Sequence, residues 1–97
     1  MPTLRDIKRE VCREWKITAA EISGNSREYR VAHPRAIFVA LARGIIKASL
    51  TRIGRELNGR DHSTISHLER RGKEHVRSNP EYLKKVHRIR EALRNTL

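Results

Sequence analysis

The sequence predicts an all-α fold, a six-helix bundle that contains a helix-turn-helix. Three observations predict it. Apolar residues recur at three- and four-residue steps, as in Ile7-Val11-Trp15 and Tyr82-Val86-Ile89-Leu93. Helix-start signals stand ahead of these runs: Thr-x-x-acid pairs, a serine and an Asn-Pro step. The period-2 alternation of a half-buried strand is missing over any strand's length. A chain of 97 residues holds one core and not a second, so residues 1–97 are read as a single domain.

The first helix is expected from Thr3 to Trp15. Thr3 and Asp6 make a capping box, and Ile7, Val11 and Trp15 form the apolar face. A short second helix runs over Thr18–Ser23, again with a Thr-x-x-Glu start, and Gly24-Asn25 ends it. The polar, charged stretch from Ser26 to Arg30 reads as a loop. A third helix is placed from His33-Pro34, because proline favours the first turn. It runs through Ile37, Leu41, Ile45 and Ala48, with Ala36, Ala40 and Gly44 as a strip of small residues. Ser49 caps a fourth helix over Leu50–Leu57. The fifth spans His62–Arg77 with Ile65, Leu68, Gly72 and Val76 on one face. Asn79 as cap and Pro80 at the first position start the sixth.

Charge is the strongest bulk property. Twenty-two Lys+Arg against 11 Asp+Glu give a formal net charge of +11. So basic a body attracts polyanions, nucleic acid first and acidic membrane surface second. No apolar stretch approaches the length of a membrane span. The start Met-Pro-Thr-Leu-Arg-Asp lacks the apolar centre of a secretory signal. Cys12 is the only cysteine, so no disulfide closes within the chain. A cytoplasmic, nucleoid-associated protein is expected.

The segment Ser49 to Leu68 carries the chemistry. Asn58-Gly59 is a turn dipeptide, because both residues tolerate positive φ. Gly54 permits a close helix crossing, while Ile53, Leu57, Ile65 and Leu68 face the core. Arg60, Asp61, His62, Ser63, Thr64 and His67 are left outside, at the end of a helix where helix-turn-helix proteins read base edges. Asp61 has a competing role as N-cap of the fifth helix. The five histidines include no His-x-x-x-His pair and no second cysteine joins Cys12, so no metal is expected. No nucleophile–base–acid constellation appears, so no catalysis is expected either. Trp15 reads as a core residue, Tyr82 as core or half-buried, and Cys12 as an inert small one.

The run Gly59-Arg60-Asp61-His62-Ser63-Thr64-Ile65 resembles the Gly-Arg-Asp-His-Ser/Thr-Thr hallmark of the C-terminal DNA-binding domain of the bacterial replication initiator DnaA. His33-Pro34-Arg35 resembles that family's Arg-Pro-Arg helix start, and Ser49-Leu50-Thr51-Arg52-Ile53-Gly54 its Ser-Leu/Tyr-x-x-Ile-Gly segment. The resemblance runs from about Thr3 to Leu97 and implies a Trp-repressor-like helix-turn-helix fold. It further implies sequence-specific binding of double-stranded DNA at DnaA-box-like sites, in replication initiation or its control. Asp61, His62, Ser63 and Thr64 then meet base edges, and Arg27 enters the neighbouring minor groove. Arg35, Ser49, Leu50, Thr51, Arg60, His67 and Arg71 match or neighbour positions that contact the backbone.

The chain departs from the family pattern at three places. Asn25-Ser26 stands where basic residues usually precede the minor-groove arginine, and His33 replaces an arginine. Gly72 replaces an apolar residue inside the recognition helix, costing about 1 kcal/mol in helix propensity. No Gly-x-x-x-x-Gly-Lys-Ser/Thr phosphate loop is present, so the ATP binding of the full initiator is not expected, nor any other cofactor. The chain is either an excised domain or a stand-alone, prophage-type protein, the latter favoured by the start at Met1. Monomeric binding to an asymmetric site is expected. Two other readings compete: a charge-only nucleic-acid or nucleoid-associated protein, or a prophage regulator using the same module; and an interaction module whose basic face docks an acidic partner or membrane.

Overall fold

The structure, a computed structural model, describes residues 1–95. Its helices are α1 (Leu4–Trp15), α2 (Ala19–Ser23), α3 (Tyr29–Ile45), α4 (Leu50–Glu56), α5 (His62–Ser78) and α6 (Pro80–Arg94), with no strand among the described residues. The all-α prediction holds.

Most helix starts follow from local hydrogen bonding. Thr3 and Asp6 form the reciprocal box, at 3.1 Å and 2.8 Å, and Thr18 with Glu21 repeats it at 3.0 Å and 2.9 Å. Each box satisfies two of the amides that a helix leaves open at its start. Ser49 caps α4 through the Arg52 amide, and Asn79 caps α6 through the amides of Glu81 and Tyr82.

The start of α3 differs from the expectation. The helix begins at Tyr29, with Glu28 at the cap, and Pro34 lies inside it. Residues 29 and 30 are therefore helical, not loop. Val31 is buried and Tyr29 stacks on His33 one turn later, with ring centroids 4.8 Å apart. These contacts offset the main-chain hydrogen bond that proline removes. The other end also moves: α3 stops at Ile45, because Lys47 takes a left-handed conformation (φ 53°) and Ala48 donates back to the Ala42 carbonyl at 3.3 Å.

α3 is the central helix, with Ile37, Phe38, Val39 and Ala42 fully buried, and its widest interface is with α5. Gly72 explains that interface. A Cβ there would lie 2.1 Å from the Ala36 carbonyl oxygen and 3.1 Å from the Ala40 Cβ. The propensity lost at Gly72 thus allows α5 to lie against the main chain of α3. Ala36 and Ala40 belong to the small-residue strip; Gly44 is exposed and does not take part in this contact. On the opposite flank α6 packs on α1, where Trp15 is half-buried edge-on against Tyr82 at 5.5 Å and Lys85 lies over its ring. Cys12 is half-buried beside the core, and burial pushes its thiol up from the ordinary value. An inert thiol is what that environment gives.

Candidate nucleic-acid interface

The turn that delivers α5 is built as Asn58-Gly59 requires. Both residues are left-handed, with φ of 62° and 80°. The amides of Gly59 and Arg60 donate to the Gly54 carbonyl at 2.8 Å and 3.1 Å. A Cβ on Gly54 would meet the Arg60 carbonyl at 2.2 Å. The close approach that Gly54 permits is therefore to the turn, more than to the following helix.

Asp61 caps α5. Its Oδ1 accepts from the Thr64 amide at 2.9 Å, and this bond holds the carboxyl below the usual carboxylate range. His62, Ser63 and Thr64 occupy the first helical positions, and all three are exposed, as are Ser66, His67, Arg70 and Arg71. Ile65 is fully buried and Leu68 half-buried, so the inner face of α5 is fixed while its outer face and first turn stay open. Ser49, Leu50 and Thr51 form the first turn of α4. Ser49 and Thr51 are exposed, and Leu50 packs its side chain on the core.

Two predicted backbone contacts have different duties. Arg35 is buried, with 6% of its surface exposed. Its Nε donates to the Ile22 carbonyl at 2.7 Å, Nη2 to Glu21 at 3.0 Å and Nη1 to Ser26 at 2.8 Å. Arg60 donates to the carbonyls of Ser23 at 3.0 Å, Leu57 at 2.8 Å and Gly24, and to Asn25 Oδ1 at 3.2 Å. The last carbonyls of a helix have no partner within it, and these guanidinium groups supply one to α2. The expectation that Arg35 meets a phosphate is corrected: its donors are spent inside the protein. Arg60 is half-buried and mostly spent in the same way, though its charge still borders the surface.

The two arginines thereby fix the segment 24–28 against the start of α5. Asn58 adds a bond from its amide to the Ser23 carbonyl at 2.9 Å. Arg27 is exposed on this tethered arm, as are Asn25, Ser26 and Glu28, and it has no partner of its own among the described residues. The anchoring was invisible in the sequence, since an arginine donating inward reads like one facing solvent.

A groove of about 540 Å³ runs between the arm and α5. Arg27, Tyr29, His33, Thr64, His67 and Arg71 are among the residues lining it. Tyr29 is 76% exposed and His33 and His75 stack at 3.9 Å between ring centroids. Sequence reasoning singled out neither Tyr29 nor His75 for this surface. Among the described residues, Arg27, Lys47, Arg52, Arg55, Arg70 and Arg71 form no ion pair. By contrast, the carboxylates of Asp6, Glu10 and Glu14 on α1 and of Glu81 and Glu91 on α6 are all matched by arginine or lysine. Arg5 on α1 and Lys85 and Arg90 on α6 also form no ion pair, so open positive charge includes the arm, α4 and α5 without being confined to them. No helix among the described residues is long and apolar enough to cross a membrane, and no group of three potential metal ligands was found among them.

An uncompensated positive surface around the first turn of a tightly seated second helix is what a helix-turn-helix needs to meet a duplex. Residues 4–71 match the family model described as the bacterial DnaA protein helix-turn-helix, more than two thirds of the chain, and the chain belongs to that family.

Proposed function

We propose that this DNA-binding helix-turn-helix domain recognises DnaA-box-like sites in double-stranded DNA, and acts in replication initiation or its control. The observation that carries the reading is the exposed, rigidly capped first turn of α5. It offers an imidazole, two hydroxyls and a carboxylate from Asp61 to Thr64 on a helix held to within a methyl group of α3.

In this reading His62, Ser63 and Thr64 meet base edges in the major groove, as donor, acceptor and thymine-methyl partners. Asp61 caps the helix and accepts from a base amine. Arg27 reaches the adjacent minor groove from its tethered arm. Ser49, Leu50, Thr51, His67 and Arg71 lie along the sugar-phosphate backbone and fix the register without reading sequence. Arg35 and Arg60 act as positioning residues, holding the arm at the distance from α5 that a duplex demands. The unequal contacts of arm and helix suit one copy of the chain on an asymmetric site. The work is binding, and no residue is assigned a catalytic step.

Selection from a pool of randomised duplexes tests this. One enriched motif, resembling a DnaA box, is expected after a few rounds. Recovery of the pool without enrichment would leave binding by charge alone.

A further inference from the structure

The DNA-facing groove holds one stacked pair of imidazoles. His33 on α3 and His75 on α5 stack face to face, 3.9 Å between centroids and 29° between planes, along the groove that separates arm and α5. Tyr29 stacks on the outer face of His33, and the Tyr82 hydroxyl on α6 lies 2.8 Å from His33 Nδ1. The pair is thus held by contacts from three helices.

The charges facing it are nearly all of one sign. Arg71 on α5 acts on both rings, Arg27 projects from the arm, and Arg35 and Arg60 border the same groove. Glu74 is the one carboxylate that acts on the pair, and it reaches His75 only. Tyr29 and Tyr82 are the remaining titratable neighbours, and Trp15, behind Tyr82 on α1, carries no charge. Two imidazolium rings at this spacing repel each other, so the stack accommodates one proton far more readily than two. Burial, and Arg71 with it, hold both rings below the ordinary histidine value, so the free protein keeps the pair neutral near neutral pH.

We propose that the His33–His75 pair, with Arg71, is a phosphate-binding subsite of the DNA interface that takes up a proton when DNA binds. The inference rests on the docking of DNA along α5 and the arm. A backbone phosphate entering this groove supplies the negative charge the pair lacks, and so raises its proton affinity. The proton comes from solvent and sits on the stacked pair; no bond to the DNA forms or breaks. Affinity then depends on pH, and in the direction opposite to stability: a lower pH favours the complex.

The test is calorimetric titration of the full chain with a duplex carrying a DnaA-type box and with a random duplex. It is run at about pH 7 in two buffers of different protonation enthalpy, with dissociation constants also measured at about pH 6 and about pH 8. The subsite predicts uptake approaching one proton per complex on either duplex. It also predicts binding roughly tenfold tighter at the lower pH. His33→Gln with His75→Gln abolishes both effects, whereas His87→Gln, exposed on α6 and outside the groove, leaves them. His33→Arg supplies a fixed charge, so it keeps tight binding and loses the pH dependence; it also covers the case in which the double variant folds poorly. Equal affinity at both pH values without proton uptake overturns the subsite and leaves the DNA-docking reading intact. Proton uptake that persists in His33→Arg overturns it as well. Absence of binding to either duplex overturns both.

Discussion

Replacing Gly72 by alanine sets helix propensity against packing, and the two predict opposite signs. In an isolated helix the change is worth about 1 kcal/mol in favour of alanine. In the folded protein the new Cβ lies 2.1 Å from the Ala36 carbonyl oxygen and 2.6 Å from its carbon. Ordinary contact begins at 3.4 Å, so α5 and α3 must part by about 1.3 Å along their widest interface. Both obstructing atoms are main chain, so no side-chain rotation relieves them. Overpacking of a tight core costs up to about 3 kcal/mol and occasionally more. Against the propensity gain this leaves a net loss of about 2 kcal/mol, or about 8–16 °C in Tm for a domain of this size. Thermal unfolding followed by circular dichroism reads the change. Ala36→Gly does not rescue it, because the clash is with the Ala36 backbone. A Gly72→Ala protein that melts about 4–8 °C higher would mean that propensity alone governs the position, and would refute the seating of α5 described above.

Other outcomes follow from the same geometry. Arg35→Ala leaves three carbonyls of α2 and the arm without donors and should cost about 3 kcal/mol or more in chemical denaturation; Arg35→Lys should not restore it, since an ammonium cannot reproduce the fork. His62→Ala should keep the melting temperature and relax base preference at one or two positions, roughly tenfold each, in a binding assay over single-substituted duplexes. Arg71→Ala should weaken all duplexes alike and lower the slope of log affinity against log salt by roughly one unit. Asp61→Ala should lower the melting temperature through loss of the cap; intact base preference in that variant would limit Asp61 to capping. Stability of the free protein should be full above about pH 6.5 and decline below it. The reason is that His33 and His75 have depressed values in the fold, so the unfolded chain takes up protons first. A melting temperature that rises between about pH 7 and pH 5.5 would contradict that assignment.

What the sequence made legible is what local chemistry decides. Thr3, Thr18, Ser49 and Asn79 cap the helices they announce, and Asn58-Gly59 turns where a turn was expected. The departures share a cause: each depends on a partner distant in the chain. Pro34 reads as a helix start, yet buried Val31 and the Tyr29–His33 stack carry α3 a turn further back. Gly72 reads as a propensity defect until Ala36 is set against it. Arg35 and Arg60 read as surface cations, because nothing local tells a guanidinium bound to three main-chain carbonyls from one facing a phosphate. The stacking of His33 with His75 joins residues on two helices and has no signature in either segment.

The central claim is that this chain reads a DnaA-type box and does not merely adhere to polyanions. It is tested most directly by titrating labelled duplexes, with and without the box, at low and at physiological salt. Sequence reading by α5 and the arm predicts that the box is preferred by at least ~10³ at physiological salt, with the preference surviving the change of salt. Equal affinity for the two duplexes, falling together as salt rises, would contradict it.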